Sequence, residues 1–284
     1  MKAHRRLYPL YLMCRVLSVS ISAYYAWLTG KPTDRQQRNM ILAALVKAAH
    51  SKTRETYGVK RLHAELKASG VEISVYKVRK LRSQLGLRCK QVKRFKCTTN
   101  SNHDKPIAPN LLGQQFTVER PNQAWSSDIT YVWTAEGWVY VAGVKDLFSK
   151  EIVGYAIGSR MTTELCLDAL NMAIKGRRPK AGLIVHSDRG SQYCSQAYRQ
   201  HLAKHDLVCS MSRKGNCYDN APIESFWGSL KTELIHQKNY EYRLQAKVEI
   251  VEYIEIFYNR MRRHTKLGNI TPAEAFSNYM RIAA

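Results

Sequence analysis

Between Trp125 and Gly158 the chain holds three segments in a row, Trp125 to Trp133, Trp138 to Lys145 and Ile152 to Gly158, all rich in Val, Ile, Tyr and Trp. Such side chains suit a pleated, partly buried surface, and the Glu136-Gly137 turn is short enough to join the first two as a hairpin. Three successive strands predict an antiparallel meander. The rhythm then changes. A helix from Thr163 to Lys175, with Leu165, Leu167, Leu170 and Ile174 as candidate buried positions, precedes the apolar run Leu183-Ile184-Val185. A helix from Gln196 to His205, a short strand from Leu207 to Met211 and a helix bearing Ile223, Phe226, Trp227, Leu230 and Leu234 follow. Strands first and alternation afterwards imply an α/β fold, a mixed sheet with helices on both faces.

Three acids are placed where such a sheet can gather them. Asp128 lies inside the first strand beside Ser126 and Thr130. Asp188 follows the apolar run directly, in His186-Ser187-Asp188-Arg189-Gly190, and Glu224 borders the apolar stripe of its helix, with 35 residues between it and Asp188. Lys231 comes seven residues after Glu224, two helical turns or roughly 10 Å along the same face, where a cation can hold a phosphate beside the acids; its alternative is a surface lysine with a buried stem. Asp146, which ends a strand next to that of Asp128, reads equally as a turn-initiating residue before Leu147-Phe148-Ser149. Asp219 and Asn220 precede the Glu224 helix and are expected to cap it, with Pro222 tolerated in the first turn. His186 and Gln192 flank Asp188 as candidates to orient it or to touch a ligand. The loop from Ser212 to Tyr218, with Arg213 and Lys214 beside Gly215, is expected to order when a ligand binds.

The composition narrows what these acids act on. Lys and Arg number 45 against 22 Asp and Glu, a formal charge of +23. Each basic side chain that neutralises a phosphate releases a counterion, so an excess of this size points to nucleic acid. No run reaches the roughly 18 apolar residues of a membrane span, and Arg15 interrupts the stretch from Leu7 to Leu17, which predicts a cytoplasmic protein with no membrane partner. Seven cysteines contain no C-x-x-C pair, which argues against a disulfide framework or a structural zinc. His201 and His205 stand one helical turn apart, but Leu202 occupies the position where a zinc protease has its Glu, so both read as residues of a solvated helix face.

The residues before the sheet predict helices. Two short apolar-rich segments, Leu10 to Leu17 and Ser20 to Leu28, suggest a helical hairpin, and a longer helix from Arg35 to about Ser51 places Ile41, Leu42, Leu45, Val46 and Ala49 on one buried face. Leu62 and Leu66 then share a face of a helix that Ser69-Gly70 terminates. Ser74 caps a second helix with Val78, Leu81 and Leu85 inside. Two short helices around a glycine-containing turn make a helix-turn-helix candidate, with Lys77, Arg79, Lys80 and Arg82 on the second helix, where phosphate or base contacts would come from. Lys90, Lys93, Arg94 and Lys96, the polar stretch Thr98 to Asp104, and Pro106 and Pro109 read as a basic linker. After the sheet, Tyr242 to Tyr258 forms a helix. Arg260, Arg262, Arg263, His264 and Lys266 follow as a basic cluster suited to phosphate contact, and Thr271-Pro272-Ala273-Glu274 is a capping box for a terminal helix. The chain thus divides into a helical region with the helix-turn-helix at 1–87, a linker at 88–120, a catalytic core at 121–240 and C-terminal helices with the basic cluster at 241–284.

Taken together, Trp125-Ser126-Ser127-Asp128-Ile129-Thr130-Tyr131, His186-Ser187-Asp188-Arg189-Gly190-Ser191-Gln192-Tyr193 and Tyr218-Asp219-Asn220-Ala221-Pro222-Ile223-Glu224-Ser225-Phe226-Trp227 resemble the catalytic core of DDE transposases and retroviral integrases. More narrowly the chain resembles the second-frame product of bacterial insertion sequences in the family named after insertion sequence three, over nearly its whole length, including the closing Tyr258-Asn259-Arg260-Met261-Arg262-Arg263-His264. The resemblance implies a ribonuclease H-like core, in agreement with the element order above.

For function the resemblance implies metal-dependent DNA strand cleavage and strand transfer at insertion-sequence ends. Asp128, Asp188 and Glu224 would hold two Mg2+ or Mn2+ ions, Asp128 bridging them, because hard divalent cations favour oxygen ligands. Lys231 is expected to contact the terminal DNA, and Lys77, Lys80, Arg260, Arg262 and Arg263 to contact double-stranded DNA elsewhere, in a bacterial protein that joins the nucleoid when bound. A purely hydrolytic ribonuclease H-like nuclease would share the acids without evident need of the helix-turn-helix, and a catalytically silent DNA-binding regulator would have no need of the three acids. In the resembling family an upstream frame supplies a leucine zipper by frameshift fusion. No sustained heptad pattern occurs here, so that product is an expected partner, as is an oligomer on DNA.

Overall fold

The alternation of inward and outward side chains along the second strand shows how the molecule is layered. In the computed structural model, which describes residues 1–90, 107–213 and 216–283, β1 (Ala124–Thr134), β2 (Gly137–Asp146) and β3 (Ile152–Gly158) form the expected antiparallel meander. β4 (Ile184–Ser187) and β5 (Val208–Met211) extend it in parallel from the other edge of β1, giving the order β3-β2-β1-β4-β5. On β2, Ala142 and Val144 pack under α6 (Thr163–Arg177) and α7 (Gln196–Lys204), in a core with Leu165, Ala169, Leu170, Tyr198 and Leu202. Val139 and Val141 point the other way. They meet α8 (Ala221–Glu233), α9 (Arg243–Glu252) and its continuation Tyr253–Met261, which winds as a π-helix, through Ile223, Phe226, Trp227, Leu230, Ala246, Ile250 and Phe257.

Two glycines allow the helices to approach this closely. A Cβ on Gly154 would lie 2.2 Å from the carbonyl oxygen of Ala169, so α6 rests backbone to backbone on β3. A Cβ on Gly143 would lie 2.8 Å from the Trp227 ring, so α8 uses the same device on β2. On α7 the rings of His201 and His205 stack edge to face with centroids 4.9 Å apart; both are half-buried rather than solvated.

The N-terminal helices are α1 (Leu10–Val16), α2 (Ile21–Thr29), α3 (Asp34–Lys52), α4 (Val59–Ala68) and α5 (Val75–Gln84). Ser74 caps α5 as expected, accepting a hydrogen bond from the Lys77 amide at 3.2 Å. Val46, Tyr57, Leu62, Leu66, Val78 and Leu81 form a small core of their own. The predicted buried face of α3 is only half covered. Val46 and Ala49 are buried, but Ile41 and Leu45 are exposed, because α4 and α5 pack against a single side of α3.

Segments from opposite ends of the chain pack together. The Tyr57 hydroxyl donates to the Met261 carbonyl at 3.1 Å and accepts from the Arg263 amide at 2.6 Å. Arg54 pairs with Glu252 and lies over the Phe257 ring. At the end of the chain, Thr271 and Glu274 form the capping box that starts α10 (Pro272–Ala283). Of the predicted basic linker, Lys93, Arg94, Lys96, Thr98 to Asp104 and Pro106 lie outside the described residues, as do Lys214 and Gly215.

Candidate active site

β1 is eleven residues long, whereas β4 pairs with only its first four, Ala124 to Ser127. Ser126 lies opposite His186 and Ser127 opposite Ser187, so the next step of the parallel register sets Asp128 beside Asp188, where β4 ends. The period of two puts Asp128 on the face of Ser126, towards α8, which carries Glu224. The sheet and helix thereby bring together the three acids that the sequence singles out.

The start of α8 is fixed to the sheet by two side chains. Asn220 accepts from the Ser126 hydroxyl at 2.6 Å and donates to the Ser127 carbonyl at 3.1 Å, one residue before Asp128. Lys145, buried on β2, donates to the Pro222 carbonyl at 2.7 Å, two residues before Glu224. Burial, reinforced by Lys150, Arg262 and Lys266, lowers its ammonium pKa to about 7. Asn220 is thus a staple between helix and strand rather than the expected helix cap, because its amide finds a buried hydroxyl and carbonyl across the interface. Asp219 is no cap either. It accepts from the backbone amide and guanidinium of Arg213, from Gln114 at 2.8 Å and from Asn110 at 2.9 Å, which ties the chain entering the sheet to the loop before α8. The hydrogen bonds from Arg213 lead in holding its carboxyl well below the usual carboxylate range.

Asp188 bears on the titration of both other acids. Burial and then the charge of Asp188 push Asp128 well above its ordinary value, with Glu224 adding to the rise; the Ile129 amide and the Trp227 indole oppose it. Glu224 is raised by partial desolvation against the protein and by Asp188. The Asp188 Oδ1 accepts from the Gly190 amide at 2.9 Å. Glu224 remains exposed on α8, and among the described residues no three acidic, histidine or cysteine side chains close at ligating distance around one point. The acids sense one another's charge without forming a finished cage.

The other candidates fall into three groups. Lys231 is buried rather than on a solvated face; its ammonium lies 5.0 Å from the Tyr131 ring centre and senses the charge of Asp128, although burial lowers its pKa overall. Asp146 holds a turn, accepting from the amide and hydroxyl of Ser149, both at 2.7 Å. His186 is buried between Ser210 and Ser212 and Gln192 bonds the Met161 carbonyl.

The basic residues are divided in the same way. Lys80 and Arg260 are exposed, and Lys77 bonds Asn39. Arg262 is buried and grips Glu233 with three hydrogen bonds of 2.7 to 3.1 Å, while Arg263 bonds Glu65 on α4 at 2.7 Å and the Asn269 carbonyl at 3.0 Å. The basic cluster suggests phosphate contact for both arginines; in the structure their guanidinium groups bond Glu233 and Glu65.

Residues 118–217 match one family described as integrase core domain and residues 205–272 match another of the same description; residues 36–95 match an HTH-like domain. The "Insertion element IS600 uncharacterized 31 kDa protein" of Shigella sonnei is 54% identical over 272 residues, covering 96% of this chain and 100% of that protein. "Transposase InsF for insertion sequence IS3A" of Escherichia coli (strain K12) is 42% identical over 277 residues, covering 97% of this chain and 96% of that one. Among solved structures, the cryoEM structure of simian T-cell lymphotropic virus intasome in complex with PP2A regulatory subunit B56 gamma matches 82% of this chain and 74% of its own, at 17% identity and a TM-score of 0.48. The HTLV-2 integrase catalytic core domain in complex with magnesium (trimeric form) matches 55% of this chain and 97% of its own, at 16% identity and a TM-score of 0.44.

Proposed function

The chain belongs to the insertion-sequence transposases of the IS3 family, and from that premise we propose that Asp128, Asp188 and Glu224 are the acids with which it cuts and joins DNA. The observation that supports this most is the parallel register of β1 and β4, which sets two aspartates side by side beneath the helix of the glutamate. The charge of Asp188 raises both Asp128 and Glu224, an arrangement that invites positive charge, and an all-oxygen set suits Mg2+ or Mn2+ rather than zinc. When bound, two such ions supply an activated oxygen nucleophile and stabilise the leaving oxygen. Asp128, Asp188 and Glu224 would together hold these ions.

The transposition reaction needs nothing further of a covalent kind from the protein. A water oxygen bonds to the phosphorus at the element's end as the P–O bond to the 3' oxygen breaks, leaving a free 3'-hydroxyl. That hydroxyl then attacks a second phosphodiester, so that one P–O bond forms as another breaks. Lys231, beside Tyr131 and within the field of Asp128, is assigned a phosphate of the terminal DNA. The exposed Lys80 on α5 and Arg260 are assigned phosphates further along double-stranded DNA, with Lys77 one turn before Lys80 on the same helix.

The test is incubation with the element's terminal inverted repeats and Mg2+ or Mn2+, with and without the upstream-frame product that we propose as partner. Joined products support strand transfer, and their dependence on the added product tests that partnership. Cleavage without joining under both conditions would instead favour a hydrolytic nuclease.

A further inference from the structure

Opposite Asp128 in the sheet stands Gly143, and the space that a side chain there would fill is taken by Trp227. The Trp227 Nε1 hydrogen donates to the Asp128 Oδ2 at 3.1 Å. Asp128 is half-buried and Trp227 is 3% exposed, so this bond is made away from bulk water. Trp227 comes from the helix turn after Glu224, so one helix carries both the glutamate and the donor that fixes the aspartate. We infer that Trp227 is a positioning residue, which uses its indole N–H to hold the Asp128 carboxylate in the orientation that receives a divalent cation, and that Gly143 is glycine so that the ring can reach it.

Packing alone does not account for the arrangement. A buried indole N–H requires an acceptor, yet the acceptor here is a carboxylate that already feels the charge of Asp188 and Glu224, on the strand partner of a residue that has no side chain. The bond favours the charged form of Asp128, as does the Ile129 amide, against the burial and like charges that disfavour it. Groups that hydrogen-bond a ligating carboxylate set its direction and basicity, and losing one typically lowers metal affinity by about 10–100-fold.

The inference rests on Asp128 being an ion ligand, and the experiment separates the two. Mn2+ alone, titrated against the full-length protein and followed by the electron paramagnetic resonance signal of the free ion, gives a dissociation constant without any DNA. Asp128→Asn is expected to weaken Mn2+ binding; an unchanged constant would defeat the ligand reading and this inference with it. With that control satisfied, Trp227→Phe is expected to weaken binding about 10–100-fold. Phe226→Leu, a change to the neighbouring ring in the same core, removes no hydrogen bond to Asp128 and should leave the constant unchanged. Should Trp227→Phe fail to fold, Gly143→Ala decides, because its Cβ displaces the indole while Trp227 itself stays; the same loss is expected. Unchanged Mn2+ affinity in the folded Trp227→Phe variant, or in Gly143→Ala where that variant decides, would overturn the inference, as would equal losses in Trp227→Phe and Phe226→Leu.

Discussion

Replacing Arg262 with Ala tests whether the basic cluster at the C-terminal end of the π-helix is a structural joint or a DNA contact. The Arg262 and Glu233 side chains are 10% and 7% exposed, and three hydrogen bonds of 2.7 to 3.1 Å join them. Removing the guanidinium leaves the Glu233 carboxylate buried, with the Tyr253 hydroxyl donating to it at 2.7 Å. Breaking a buried pair on one side costs about 3–5 kcal/mol. With about 2.1 cal/mol/K of unfolding entropy per residue, a chain of 284 residues shifts by about 1.7 °C per kcal/mol, so the unfolding midpoint should fall by about 5–8 °C. The double replacement of Arg262→Met with Glu233→Gln keeps an acceptor for Tyr253 and should recover most of that loss, because a buried pair contributes little beyond the cost of burying its charges. The assays are thermal unfolding and the salt dependence of binding to double-stranded DNA. A midpoint that hardly moves, together with a log–log salt slope smaller by about one, would show a phosphate contact and refute the argument.

Gly154→Ala forces a Cβ against the Ala169 carbonyl and should destabilise by about 1–3 kcal/mol or more, read in urea unfolding. Asn220→Ala leaves the buried Ser126 hydroxyl and Ser127 carbonyl without their partner, at a cost of about 1–3 kcal/mol by the same measurement. Lys145 has a folded pKa of about 7, below that of the unfolded chain, so between pH 7 and the ordinary lysine range the unfolded state binds more protons. Wild-type stability relative to Lys145→Met should therefore rise from pH 7 towards 10 and be flat below pH 6; a fall with rising pH would contradict the assignment. Lys80→Ala should leave the unfolding midpoint unchanged, weaken DNA binding and lower the salt slope by about one.

The sheet and its helices could be read from the chain because their signals are local. Alternation and β-branched content mark β1 to β3, and a helical stripe marks α8. The places of the aspartates at 128 and 188 are also legible, since Asp128 lies on a strand and Asp188 directly after one, and the apolar pattern of each strand fixes its position. What the sequence concealed depends on partners distant along the chain. Trp227 reads as one more apolar residue of a stripe, and only the pairing of Asp128 with Gly143 turns its indole towards the carboxylate. Asn220 has the residue type and position of a cap, but Ser126 lies nearly a hundred residues earlier. Arg262 and Arg263 sit in a basic run, while their acids, Glu233 and Glu65, lie on helices 29 and 198 residues away along the chain. The exposed side of α3 was misread because periodicity reports an apolar face without saying how much of it a neighbour covers.

The central claim is that Asp128, Asp188 and Glu224 act as one set. Its most direct test is the yield of joined DNA from terminal inverted repeats in Mn2+ with wild type and with Asp128→Asn, Asp188→Asn and Glu224→Gln, each checked for an unchanged unfolding midpoint and unchanged DNA affinity. Every one of the three variants should lose cleavage and joining together; a variant that still joins DNA at the wild-type rate would contradict a shared site.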